Sequence, residues 1–238
     1  TITQQMLKNL TGENQNTINR KVKEIFRALE FEKDNTKSQI LELYLNMIYL
    51  GSGCNGVETA AEYLGQGVVG IDLAGAEGIV PLKNFAPLFQ RAGELRLPFT
   101  CHAGDSPGPD TVADALDFGA RRIGHGHHIY QDPALVRRAA DLGVTLEICP
   151  TSNIQCKTQP SYEAHPAKNL MEMGLGVCIN TDNATLAGVT LADEYRHCLD
   201  EMGFTCEDLL AMNRTAIRAS FAPMEVKERI LTALKRCQ

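Results

Sequence analysis

Three ionisable residues close apolar runs in this chain. His102 ends "FTCH" (99–102), His125 ends "RIGH" (122–125), and Asp182 follows "VCINT" (177–181). Asp105 stands three residues past His102 in "HAGD", and Asp72 lies inside "VVGIDL" (68–73). Imidazoles and carboxylates brought together can hold a divalent metal ion or move protons near neutral pH. A single histidine at a strand end is ordinarily structural. Three such groups at corresponding ends of different strands point to a site, with His102 as its first candidate metal ligand.

The elements that must position them are strands and helices in alternation. "VVGIDL" and "VTLEIC" (144–149) join the three runs above as compact β-branched segments, and helix-like segments fall between them at 85–95, 109–118, 133–142 and 166–173. That alternation predicts an α/β fold with a parallel sheet, whose strand carboxyl ends carry the chemistry. From Thr190 onward two or three helices are expected. Residues 1–65 read as helical. Ile18, Val22, Ile25, Phe26 and Leu29 recur at helical spacing, Thr36 and Gln39 make a capping box before "ILELYLNMIYL", and a short helix spans 57–64. The change at Gly67 comes without a linker.

The 238 residues can bury a full core as one domain or two, and a formal charge of −6 argues against a nucleic-acid footprint. No apolar run is long enough for a membrane span, and no secretory signal is visible, although the chain begins at Thr1 rather than methionine. Eight cysteines without C-x-x-C spacing, Cys101 and Cys178 among them in strand-like runs, fit reduced thiols in a cytoplasmic protein.

From about Val68 to the C-terminus the chain resembles the second half of an adenosine deaminase. "GIDLAG" (70–75), "HAGD" (102–105), "RRIGHGHH" (121–128), "EICPTSN" (147–153) and "INTDN" (179–183) carry the likeness. "MGFTCEDL" and "NRTAIRASF" near the end fit it too. The resemblance implies a zinc-dependent (β/α)8 barrel, here partial and of about five strand–helix units, that converts adenosine and water to inosine and ammonia. It implies His102 and Asp182 as zinc ligands, His125 for the proton of the attacking water, and Asp105 as the acid at purine N1. The backbone of Gly75 would meet N3, and Asn183 would lie near N7. His127, close to His125, could share a face with it if the strand continued, but it matches no ligand of the family. His128, His165 and His197 are expected to be solvated or packing residues.

Two departures from the family pattern bear on activity. Asp105 stands where the family has glutamate, drawing the acid back by about 1.5 Å, and misplacement on that scale can cost about 100-fold in rate. The family's H-x-H zinc pair has no counterpart, because residues 1–65 contain no histidine. The expected zinc site is therefore incomplete and turnover impaired.

Residues 1–65 resemble a fragment of the peptidoglycan glycosyltransferase domain of penicillin-binding proteins, through "TITQQMLKNL", "RKVKEIFRALEFEK" and "ILELYLNMIYLGSGCNGVETAAEYLG". That resemblance implies Glu24 as a catalytic-site carboxylate and Gln5, Lys8, Arg20 and Lys21 along a lipid-pyrophosphate site. The combined expectation is two partial domains, 1–65 and 68–238, the second adenosine-deaminase-like and taking adenosine or a related purine nucleoside. Self-association through the open barrel edge is a further expectation. The alternatives are a non-catalytic fusion of the two pieces and, behind it, a glycosyltransferase.

Overall fold

The computed structural model describes residues 3–4, 18–37, 40, 56–75 and 77–235. Its packing divides into two compact units, Thr1–Ile71 with Arg91–Leu97, and Asp72–Gln90 with Pro98–Gln238.

In the first unit, α1 spans Ile18–Asp34 and α2 spans Gly56–Glu62. The helical periodicity of the sequence is thus realised over α1, but its apolar stripe is not inward. Val22, Ile25, Phe26 and Leu29 are exposed while Ala28 and Glu24 are buried. Most of "ILELYLNMIYL", together with Gln39 of the expected capping box, falls outside the described residues.

The second unit holds the alternating elements, apart from Arg91–Glu94 at the end of one helix, which fall in the first. In chain order they are β1 (Ile71–Leu73, at the boundary of the units), a 3-10 turn (Leu82–Phe85), α3 (Ala86–Glu94), β2 (Phe99–Ala103) and α4 (Asp110–Asp117). Then come β3 (Arg122–His125), a 3-10 turn (His127–Gln131), α5 (Pro133–Asp141), β4 (Thr145–Ile148), α6 (Pro150–Gln155), α7 (Ala167–Glu172) and β5 (Gly176–Ile179). Four helices close the chain: α8 (Ala184–Ala187), α9 (Leu191–Asp200), α10 (Cys206–Ala219) and α11 (Met224–Leu234).

The strands form one sheet in the order β1-β2-β3-β4-β5, with β2 through β5 paired in parallel. Sequential parallel strands with intervening helices are how a (β/α)8 barrel is laid down, and the described residues hold five of the eight that close one. The strands read as apolar along one face of the sheet, which is buried, while Arg122 and Glu147 on the other are partly exposed. Cys101, Ile123, Leu146 and Ile148 have no exposed surface. Phe89 of α3 stacks on Phe118 at 4.9 Å and tilts against Phe99 at 4.8 Å. Each such fully buried large side chain contributes about 1.5–3 kcal/mol.

The helices start where side-chain oxygens can cap them. Asp132 accepts from the amides of Ala134 and Leu135 ahead of α5. Thr190 with Asp193 and Thr205 with Asp208 form reciprocal capping boxes for α9 and α10. Lys168 of α7 pairs with Asp208 at 2.7 Å.

Of the cysteines, Cys101, Cys149, Cys178 and Cys198 are buried and reduced, and Cys156 and Cys206 are exposed and free. Burial pushes the Cys101 and Cys198 thiols up to about 12 and Cys178 to about 11. No helix among the described residues is long and apolar enough to cross a membrane.

Candidate active site

The parallel register sets His125 beside Ala103, one step past the pairing of His102 with Gly124. The ends of β2 and β3 therefore present both histidines together, with ring centroids 4.2 Å apart at 62°. Asp105 joins them from the loop after β2. One potential ligand atom from each of His102, Asp105 and His125 lies within 4.8 Å of the others. The site thus forms at the carboxyl ends of the strands.

Backbone conformation marks the same places. His125 and Asp182 both hold positive φ, 62° and 52°, which costs a non-glycine residue about 1 kcal/mol or more. Gly126 follows His125 at φ 71°, so the strand stops and a 3-10 turn begins at His127. His127 consequently does not alternate onto the face of His125. It is fully buried, its ring centroid is 6.5 Å from that of His125, and it is outside the cluster of three. Burial, reinforced by His128, His165 and His125, pushes its imidazole down to about 2.

Asp182 stands past β5 and accepts a hydrogen bond from Ser152 Oγ at 2.7 Å. It is near enough for its charge to favour the protonated form of His125, yet it is not among the three clustered groups. Asn183 caps α8, its Oδ1 accepting the Leu186 amide at 3.1 Å, which leaves the Nδ2 hydrogens to donate elsewhere. Gly75 is exposed at φ 130°.

Four residues unassigned from the sequence build the surroundings of Asp105 and His125. The Glu77 carboxylate accepts the amides of Gly104 (3.1 Å), Asp105 (3.0 Å) and Ser106 (3.2 Å) and the hydroxyl of Thr111 (3.2 Å). Asn153, fully buried in α6, donates from Nδ2 to Asp105 Oδ1 at 2.8 Å and contacts His125 Nδ1 at 2.9 Å. Thr158 Oγ1 reaches Asp105 Oδ1 at 3.1 Å. His165, expected as a solvated or packing residue, is buried with its Nε2 at 3.2 Å from Asn153 Oδ1. His128 is buried too, its Nδ1 on the Gly104 carbonyl at 3.2 Å. His197 is half-buried, stacked on Tyr162 and bonded to Glu201.

Desolvation lowers the His125 pKa and the neighbouring His102 lowers it further, against the opposing pull of Asp105, Asp182 and Glu77. Neutral imidazole beside carboxylates is the donor set that zinc takes. One oxygen of Asp105 and Nδ1 of His125 are engaged by Asn153, and one oxygen of Asp182 is engaged by Ser152.

Of the glycosyltransferase-like residues, Gln5 and Lys8 lie outside the described set, as does the side chain of Arg20. Lys21 and Glu24 form an ion pair at 2.6 Å within α1.

A parallel α/β sheet with histidine and aspartate at its strand ends is the ground plan of the metal-dependent amidohydrolases. The adenosine deaminase family model matches residues 13–237, and the chain belongs to that family. It is 38% identical over 168 residues to an adenine deaminase of Agrobacterium fabrum, covering 70% of this chain and 52% of that protein. It is 39% identical over 166 residues to an adenosine deaminase of Lacticaseibacillus casei, covering 70% and 49%. Among solved structures, the adenine deaminase from Arthrobacter aurescens superposes with a TM-score of 0.68 at 29% identity, covering 76% of this chain and 57% of that one. The Arabidopsis ADAL–IMP complex gives 0.69 at 30% identity, covering 76% and 52%. A zinc-bound amidohydrolase from Burkhoderia ambifaria gives 0.70 at 25%, covering 76% and 51%. The chain spans about half the length of these curated relatives.

Proposed function

We propose that this chain carries part of the active site of a zinc-dependent deaminase that removes the 6-amino group of adenosine or a closely related purine as ammonia. The observation that carries this reading is the convergence of His102, Asp105 and His125 within 4.8 Å at the ends of β2 and β3. The names of its relatives, adenosine and adenine deaminases, support the purine class.

His102 and Asp182 would hold the ion. Zinc, when bound, brings the pKa of water close to neutrality so that a nucleophile is available. The residues of the chain do the rest. Asp105 protonates N1 of the purine, which makes C6 electrophilic. Its Oδ1 accepts from Asn153 and Thr158, so the acidic proton belongs on Oδ2. His125 steers the attacking water and steadies the charge that develops on its oxygen. The Gly75 amide and the free Nδ2 hydrogens of Asn183 orient the ring.

His102 is the first histidine in the sequence, so this chain supplies no counterpart of the family's H-x-H ligands. Its turnover alone is therefore proposed to be low. The test is ammonia release from adenosine and from adenine by the purified chain with added zinc. Slow release that is abolished in His102→Ala supports the reading. Release unaffected by His102→Ala, or binding of zinc that ignores that substitution, overturns it.

A further inference from the structure

Asn153 lies between two groups that cannot bond each other directly. His125 Nδ1 and Asp105 Oδ1 are 3.5 Å apart, beyond a good N–H···O hydrogen bond, and the Asn153 amide nitrogen reaches both at 2.9 and 2.8 Å. Which group donates to which can be traced from a fixed point. The Ala167 backbone N–H, which can only donate, bonds His165 Nδ1 at 3.2 Å. That nitrogen must therefore offer a lone pair, and a neutral His165 carries its proton on Nε2. Burial keeps His165 neutral by pushing its imidazole down to about 4.

His165 Nε2–H faces the Asn153 side chain at 3.2 Å, so the atom there must be the carbonyl oxygen. The amide NH2 is then turned to Asp105 and His125, and its two hydrogens serve the two acceptors. The direction of every bond follows from the first.

We propose that Asn153 and His165 are positioning residues that fix the tautomer of His125, holding its proton on Nε2. With the reading above, on which its functional meaning rests, this gives His125 one role. It meets the attacking water as a hydrogen-bond donor, because its only lone pair is committed to Asn153. Asn153 likewise makes Oδ1 of Asp105 an acceptor, leaving Oδ2 for the acid's proton.

The experiment is two-bond proton–nitrogen correlation spectroscopy of the full chain labelled with 15N-histidine, at pH 7.5 and without metal. His125 is assigned by the signals lost in His125→Gln. The expected result is the Nε2–H pattern for both His125 and His165. Asn153→Asp, of the same shape but able only to accept at both oxygens, is expected to convert His125 to the Nδ1–H pattern. His165→Leu, which frees the amide to flip, is expected to give a mixture. An Nδ1–H pattern or a doubly protonated ring at His125 in the unsubstituted chain overturns the proposal. So does an unchanged Nε2–H pattern in the folded Asn153→Asp variant. Should that variant not fold, the unsubstituted spectrum and His165→Leu decide the matter alone. None of these readouts needs turnover, so failure of the deaminase reading and failure of the tautomer assignment are separable.

Discussion

At the scale of single residues, the loop that carries Asp105 depends on Glu77. Three successive amides, from Gly104 to Ser106, converge on its carboxylate. Successive amides of this kind form an anion-binding nest, filled here by the protein's own side chain. Hydrogen bonds to a charged group are worth about 1.5–3 kcal/mol each, and leaving buried donors unpaired costs more than the mean. Glu77→Gln, which sets an NH2 group against those N–H donors, is expected to lower stability by about 2 kcal/mol. In hydrogen exchange, the amides of residues 104–106 should lose protection while those of β2 keep theirs. Protection unchanged at all three would remove Glu77 from this role. The sequence made His102, His125 and Asp182 legible because they close apolar runs, a local signal, and Asp105 through the H-A-G-acid motif. It did not disclose Glu77, Asn153, Thr158 or His165. Their importance lies in partners 27 to 53 residues away, or, for His165, in an amide whose orientation only the fold determines.

At the scale of elements, the strands were readable because buried parallel strands are short, β-branched and apolar. "RIGH" is β3 as read, and "VTLEIC" trims to Thr145–Ile148. "VCINT" overran, since β5 ends at Ile179, just before the left-handed turn at Asp182. Helices α6 and α8 were missed. They are six and four residues long, and Pro-Thr-Ser-Asn is a composition that favours turns. The junction of β2 with its loop is where backbone freedom matters most. A Cβ on Gly104, at φ 71°, would sit 2.6 Å from Val112 and 3.2 Å from the backbone of Gly126. Gly104→Ala is expected to cost about 3 kcal/mol, from the left-handed backbone plus the overpacking. At Gly119, φ 88°, nothing lies within 4 Å, so Gly119→Ala should cost only about 1 kcal/mol. Urea unfolding of the two variants compares them directly, and equal losses would mean that packing around Gly104 yields.

At the scale of the molecule, buried neutral histidines set an acid limit on stability. His127 and His165 are held down to about 2 and about 4, whereas in the unfolded chain they titrate near the ordinary value of about 6.5. Between those limits the unfolded state binds more protons, so stability rises with pH and falls on acidification. From pH 8 to pH 5 the two together are expected to remove about 4 kcal/mol. Urea midpoints followed by circular dichroism over that range measure it, and a flat profile would mean that both rings are hydrated in the fold.

The strands that aim the chemistry also shelter sulfur. A thiol reacts with oxidants and electrophiles as its thiolate, and near neutral pH a group titrating at about 11 or 12 is almost never in that form. Cys101, next to His102 in β2, thus sits beside the candidate active site as an inert filler. Among the described thiols, Cys156 and Cys206 face solvent and are expected to oxidise first. Burial that was needed for packing gives the site a redox immunity as well, with the surface thiols taking the first hit.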